Sequence, residues 1–342
     1  MNAFVALAKV ALAVVLLTPQ PARAASKDDY TAWYQGTIGK AKVYAELRFT
    51  EHGSIVGGAY AYRRFPFTNQ LTHLHLEGHI GGTGPIKGPV LREFASSGKV
   101  TWPTGFFSGD CSPGCETMEG KWSSADEADK KRKLPFKLEI FARSKVLDSD
   151  ATETRVAYFQ FLPADGPLQR FANEFIEKEV QEEFARETAR KRFVQNDPYR
   201  ESDSYGARHE ITYFSPKIIS VNVDRRAARR SSTSESLVFG WRDGKPARLS
   251  WDDLLKRDGD QKESLRSMIE TSLQSRGLKS CIPVNMTGFT VWLNYALVID
   301  LPCGTTSQQE EVPGREVKAR LDANGPLAEW IATLPDEVPP QQ

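Results

Sequence analysis

From Tyr34 to about Phe141 the chain alternates apolar and polar residues and never sustains the three- and four-residue spacing of a helix. Val43, Ala45, Leu47 and Phe49 interleave with Lys42, Tyr44, Glu46 and Arg48, and Leu74, Leu76 and Ile80 interleave with His73, His75, Glu77 and His79. A period of two sends alternate side chains to opposite faces, which is the mark of half-buried antiparallel strands. About eight such runs are present, near 34–38, 41–49, 54–62, 70–80, 89–94, 101–108, 116–122 and 134–141. Short strands with tight connections predict an antiparallel meander or, where its ends meet, a small barrel, because closure leaves no unpaired edge. Gly36, Gly58, Gly78, Gly105 and Gly120 fall at comparable places in successive runs. Such glycines mark bulges or close backbone approach. The stretch Gly82-Thr-Gly84-Pro-Ile-Lys-Gly88 resembles a phosphate cradle only in composition. A cradle needs a helix start behind it, and here Pro85 and Pro89 lead into a strand.

The second half has another rhythm. After a polar stretch at 144–153 and a strand at Val156–Leu162, Pro167 opens a long helix on which Phe171, Phe175, Ile176, Val180 and Phe184 form the apolar stripe, with Glu174, Glu177, Glu183 and Arg190 facing solvent. Strands are predicted at 209–214, 217–223, 236–241 and 246–249. Ser250-x-x-Asp253 caps a short helix, Asp260-x-x-Glu263 starts another, and Gly277 ends it. Thr290–Leu301 reads as one apolar strand, Arg315–Lys318 as a short strand and Pro326–Leu334 as a closing helix. Strands and helices segregated in this way predict an α+β domain.

The N-terminus reads as an export signal. Lys9 precedes the apolar run Val10–Leu17, and Thr18-Pro-Gln-Pro-Ala-Arg-Ala24 ends in a small-x-small cleavage pattern. The run is far shorter than the ~20 residues of a membrane span. Cleavage after Ala24 gives a periplasmic or secreted chain with no transmembrane segment. The predicted organisation is therefore a signal peptide 1–24, an all-β domain 25–148, an α+β domain 152–334 and a disordered tail 335–342. Charge is balanced, with 45 Lys and Arg against 44 Asp and Glu. That balance argues against nucleic acid as a partner, since such proteins carry a strong basic excess.

The order Ala157-Tyr-Phe-Gln-Phe-Leu-Pro163, Ser215-Pro-Lys-Ile-Ile-Ser-Val221, Asp243-Gly-Lys-Pro-Ala-Arg-Leu-Ser-Trp-Asp-Asp-Leu-Leu255 and Phe289-Thr-Val-Trp-Leu-Asn-Tyr-Ala-Leu-Val-Ile299 resembles the RsiV-type extracytoplasmic domain over roughly 152–334. The β region before it looks like those of uncharacterised secreted bacterial proteins. The resemblance implies a non-catalytic sensing or binding module, which in the RsiV case binds lysozyme. One departure is Asp224-Arg-Arg-Ala-Ala-Arg-Arg230, where family members often carry Gly-Gly-Ala-His, so no role of that turn transfers. The expected function is binding, to a lysozyme-like wall hydrolase or a cell-wall component. The alternative is a hydrolase of envelope polymers.

Individual residues add little chemistry. Three histidines share the 73–79 strand, but His73 and His79 are ~20 Å apart at about 3.3 Å per residue. Only His73 and His75 remain as weak metal ligands, and no cofactor is implied. No Gly-x-Ser-x-Gly or His-Glu-x-x-His motif occurs, and His209 beside Glu210 reads as a structural hydrogen bonder. The basic runs Lys130–Lys133 and Arg225–Arg230 read as solvated loops or, through Arg225, Arg226, Arg229 and Arg230, as contacts to an anionic envelope component. Export makes disulfides the default. Cys111 and Cys115 flank a Pro-Gly turn, while Cys281 and Cys303 bracket one apolar strand, giving Cys111–Cys115 and Cys281–Cys303 with the longer loop worth about 3 kcal/mol. Thiol titration of unfolded, unreduced protein should find no free thiol; any signal counts against two bridges.

Overall fold

A computed structural model describes residues 30–50, 55–62, 74–79, 90–97, 100–126, 133–194, 204–227, 232–257, 260–292, 296–303 and 306–334. The leader, His73 and the 335–342 tail lie outside the described residues. The first half is a meander of β1 (Tyr30–Ile38), β2 (Ala41–Phe49), β3 (Ile55–Tyr62), β4 (Leu74–His79), β5 (Val90–Ser97), β6 (Val100–Cys111), β7 (Thr117–Ser124) and β8 (Lys133–Ser149). Each pairs antiparallel with the next, and β1 also pairs with β8, Ala32–Ile38 against Phe136–Arg143. Gly36 sits on that seam, where a Cβ would stand 1.9 Å from the Lys137 carbonyl oxygen. The alternation read from the sequence is the alternation of faces. Ile38, Val43, Leu91, Phe107, Met118 and Phe136 are buried together, leaving a cavity of about 10 Å³ among them. That is room for about one water at most. Arg92, Lys121, Lys133 and Lys137 point outward and are exposed. Apolar inside and charged outside is the inverse of a membrane-crossing strand array.

The polar stretch 144–153 is not a break in the sheet. β8 runs through it to Ser149, and β9 (Thr154–Phe161) pairs back along Ala142–Ser149. Helix α1 (Pro167–Val194) then crosses over to β10 (Tyr205–Phe214), which pairs parallel with β9. Strands β11 (Ile219–Ala227), β12 (Thr233–Arg242) and β13 (Lys245–Arg248) complete a mixed sheet of 13 strands. Beyond it lie α2 (Trp251–Leu254), α3 (Gln261–Ser275), a three-stranded sheet of β14 (Gly288–Val291), β15 (Ala296–Cys303) and β16 (Thr306–Pro313), and the short helices α4 (Gly314–Val317) and α5 (Ala328–Ile331). The described fold is mostly β, with helices added in its second half.

Three readings need correction, and one strand was missed. The apolar run Thr290–Leu301 is a hairpin, Gly288 facing Asp300 and Val291 facing Leu297. It is apolar throughout because both of its strands are buried in the core beneath α3. β16, which pairs with β15, gave no sequence signal because its run Gln308-Gln-Glu-Glu311 carries polar residues on both faces and so shows no apolar alternation. Arg315–Lys318 is helical, its Val317 anchoring one turn in the core. The acids of α1 are not all solvated. The buried stripe is Leu168, Ala172, Ile176 and Val180, and it continues through Glu183 and Glu187, which are 4% and 8% exposed.

Burial of Glu183 is possible because β11 supplies a counter-charge. Arg225 Nε lies 3.1 Å from each carboxylate oxygen of Glu183, and Tyr205 donates its hydroxyl to the same group. Arg225 also reaches Glu235 at 3.0 Å, and Arg248 pairs with Glu235 at 3.0 Å. Burial and the Glu183 hydrogen bond push the Tyr205 phenol up, so it stays a donor. Removing one partner of such a pair strands a buried charge, which is costly. Asn173 holds the other end of α1, accepting from Phe161 N at 2.7 Å and donating to Phe161 O at 3.0 Å.

His209 lies in β10 with Nδ1 3.0 Å from the Ala157 carbonyl. Burial pushes its pKa down from 6.5 to about 4, and the carbonyl contact only partly opposes this. Below about pH 6.5 the unfolded chain takes up a proton that the folded chain refuses. Stability from this group is therefore complete above about pH 6.5 and falls as the pH drops toward about 4, by about 3 kcal/mol in all. Urea denaturation of wild type and His209→Gln across that window should show the wild type losing more stability; parallel profiles would contradict the assignment.

Candidate functional site

The hairpin β12–β13 turns at Asp243-Gly244, both with positive φ of 50° and 74°, the two-residue geometry that suits the twist of paired strands. It brings Arg242 against the start of α2. There Ser250 and Asp253 form a capping box: Asp253 accepts from Ser250 N at 2.8 Å and from Ser250 Oγ at 2.9 Å. Arg242 grips the other side of the same carboxylate, Nε to Oδ1 at 2.7 Å and a terminal nitrogen to Oδ2. Burial works against the Asp253 charge, but the hydrogen bonds from Arg242 and Ser250 outweigh it and hold the carboxyl below its ordinary value. A bidentate pair of this kind fixes geometry as well as charge.

Two open clefts meet at this pair, of about 570 and 700 Å³, and both are lined by Arg242, Asp252, Asp253 and Arg257. The smaller runs toward Lys256, Asp260 and Lys262. The larger runs between the β10–β11 turn at Pro216 and Lys217, the Trp241 side chain, and the segment Asp322–Glu329. Its walls are tied by backbone bonds. Asp322 N donates to Leu254 O at 2.9 Å, and Lys256 N to Arg320 O at 3.0 Å. Leu254, Leu321, Leu327 and Trp330 are fully buried behind them. The larger cleft carries Asp243, Asp252, Asp253, Asp322 and Glu329 against Lys217, Arg242 and Arg257, an excess of acids. The arrangement offers hydrogen-bond acceptors, a few cations and one indole along a groove.

The sequence candidates fall elsewhere. His75 stands in β4 opposite Ala59 and Phe94, and no cluster of three metal-ligating side chains occurs among the described residues. Arg225 is on β11, its guanidinium engaged by Glu183 and Glu235 rather than presented in a loop. Arg226 is exposed beside it, and Arg229 and Arg230 lie outside the described residues. Both disulfides are in place, Cys111–Cys115 with S–S 2.01 Å and Cys281–Cys303 with 2.05 Å, which fits export to an oxidising compartment. No described helix is long and apolar enough to cross a membrane. Of the groove, only the Ser250-x-x-Asp253 cap was read from the sequence as a local signal.

No family model matches the chain, and no curated protein does. Among solved structures, a DUF3298 family protein from Pseudomonas aeruginosa is similar with a TM-score of 0.35 and 10% sequence identity, over 53% of this chain and 94% of that chain. A likeness of that strength carries no argument about fold or function, so the site stands on its own geometry.

Loss of Asp253 removes the cap of α2 and leaves Arg242 unpaired. Asp253→Ala should cost about 1–2 kcal/mol, read as a lower denaturation midpoint. Arg242→Ala leaves the Ser250 cap intact and should cost about 1 kcal/mol or less because the guanidinium is half-exposed. The reverse order would refute the cap as the larger of the two contributions.

Proposed function

We propose that this chain is an exported, non-enzymatic binding protein of the cell envelope, and that the groove beside Arg242 and Asp253 receives a basic partner, a lysozyme-like wall hydrolase. The observation that carries the reading is the excess of carboxylates over cations in the larger cleft. Hydrolases of that class are typically basic, and complementary charge steers encounter and fixes register. The RsiV-type resemblance of residues 152–334 points to the same kind of partner. The described inner-face residues of the meander pack around a cavity of only about 10 Å³, which supports a surface role too.

Asp252 and Glu329 line the larger cleft from α2 and α5 and make the cleanest charge reversals. Calorimetric titration of the protein with lysozyme should give saturable binding that weakens with salt. Asp252→Lys combined with Glu329→Lys should raise Kd by about tenfold or more. No binding, or binding indifferent to the substitutions, would remove the groove as the contact. Turnover of peptidoglycan by the protein alone would overturn the binding reading in favour of a hydrolase of envelope polymers.

A further inference from the structure

The two disulfides differ in what governs exchange with a thiol. Cys281 and Cys303 are 1% and 4% exposed, lie in the core beneath α3 and are 22 positions apart. Cys111 and Cys115 are four positions apart across the turn between β6 and β7, with Cys111 half-buried and Gly114 exposed. A short loop restricts the unfolded chain little, so opening its bridge costs the fold less than opening a long one. The turn also has supports of its own. Thr117 N donates to Ser112 Oγ at 2.8 Å, Cys115 N to Ser112 O at 2.8 Å and Ile140 N to Glu116 O at 2.8 Å, while the buried Tyr34 hydroxyl donates to Cys115 O at 2.8 Å. None of these bonds passes through sulfur. Cys115 itself sits at φ 51°, a left-handed conformation that is costly for a residue with a Cβ, so the bridge closes over a backbone that gains by relaxing.

One cation stands at this turn. Arg143 is half-buried and donates from a terminal nitrogen to Gly114 O at 2.8 Å. Its Nε is buried without a hydrogen-bond partner, and it makes no ion pair among the described residues. Asp110 and Glu116 flank the turn but are exposed, where water and salt screen them, and Glu139 is taken up by Lys137 at 2.7 Å. A thiolate forming at Cys115 is thus one residue from the carbonyl that the guanidinium holds. A neighbouring cation lowers a thiol's pKa and makes its sulfur a better leaving group.

We propose that Cys111–Cys115 is a reversible redox site: an external dithiol opens it while the chain stays folded, Arg143 stabilises the departing thiolate, and a small disulfide closes it again. A thiolate of the dithiol attacks Cys111 Sγ, the sulfur of the more exposed residue. The Cys111–Cys115 bond breaks and Cys115 leaves as thiolate. The second thiol of the dithiol, once deprotonated, attacks the dithiol's own sulfur in the mixed disulfide and releases Cys111. Two electrons pass from the dithiol to the bridge, and the two protons it loses end on Cys111 and Cys115. Cys281–Cys303 takes no part.

The test is timed reduction of the native protein with dithiothreitol, followed by alkylation with N-ethylmaleimide and mass mapping of the labelled peptides. Label should enter at Cys111 and Cys115 at least about tenfold faster than at Cys281 and Cys303, with an unchanged circular dichroism spectrum. Oxidised glutathione added before alkylation should protect both positions again. Arg143→Gln should slow the opening about tenfold and Arg143→Lys should keep most of the rate, with the rate at Cys281–Cys303 unchanged in both as the control for folding. Opening of both bridges together, opening of Cys281–Cys303 first, or opening only in urea overturns the proposal. A wild-type rate in Arg143→Gln overturns the part given to the guanidinium.

Discussion

Strand β8 pairs with three different partners along its 17 residues. Its first part lies against β7 and β1, its last part against β9, and at Ala142 and Arg143 it is bonded to β1 and β9 together. The two halves of the molecule therefore share a strand. An aromatic junction fills the corner this creates. Phe141 meets Trp33, Tyr44 and Phe214 at ring separations of 6.4, 5.9 and 4.3 Å, and the Tyr44 hydroxyl donates to the Phe214 carbonyl at 2.9 Å. Burial of several large rings at one point is a strong non-directional force, and the one hydrogen bond makes it specific. Everything in the second half is built outward from this corner.

Local periodicity carried most of the fold. The eight strands of the meander, helix α1 and the caps at Ser250 and Asp260 all rest on patterns confined to a few residues, and all appear where those patterns place them. What escaped has a common cause. Glu183 and Glu187 continue the i, i+4 line of the buried stripe, yet an acid on a helix reads as solvent-facing unless its partner is known. That partner, Arg225, is 42 positions away in a run that itself reads as a solvated loop. Each charge was misread because the other was invisible. The hairpin of β14 and β15 failed for the opposite reason, since uniform burial erases the contrast that marks a turn.

The groove shows the same limit at the level of a site. Its walls come from the turn after β10, the end of β12, the start of α2 and the segment before α5, so no spacing rule joins them. Asp253 was legible as a cap because its partner Ser250 is three residues away. Its second role, holding Arg242, depends on a hairpin turn that brings position 242 back onto the helix. The capping box sets the orientation of the carboxylate, and the arginine exploits it.

Net neutrality takes on a different meaning in this setting. Positions 25–150 carry 17 bases and 15 acids, and the rest of the chain after the leader 26 and 29, so neither half announces a partner by its total. Acids are nevertheless gathered along the groove, where Asp243, Asp252, Asp253, Asp322 and Glu329 face Lys217, Arg242 and Arg257. Gathering them at constant total keeps long-range self-repulsion low, while the groove retains a local field over roughly one Debye length, about 8 Å at physiological salt. Because Ala142 and Arg143 of β8 are paired on both sides, the sheet of the meander continues without interruption into the strands that carry the groove.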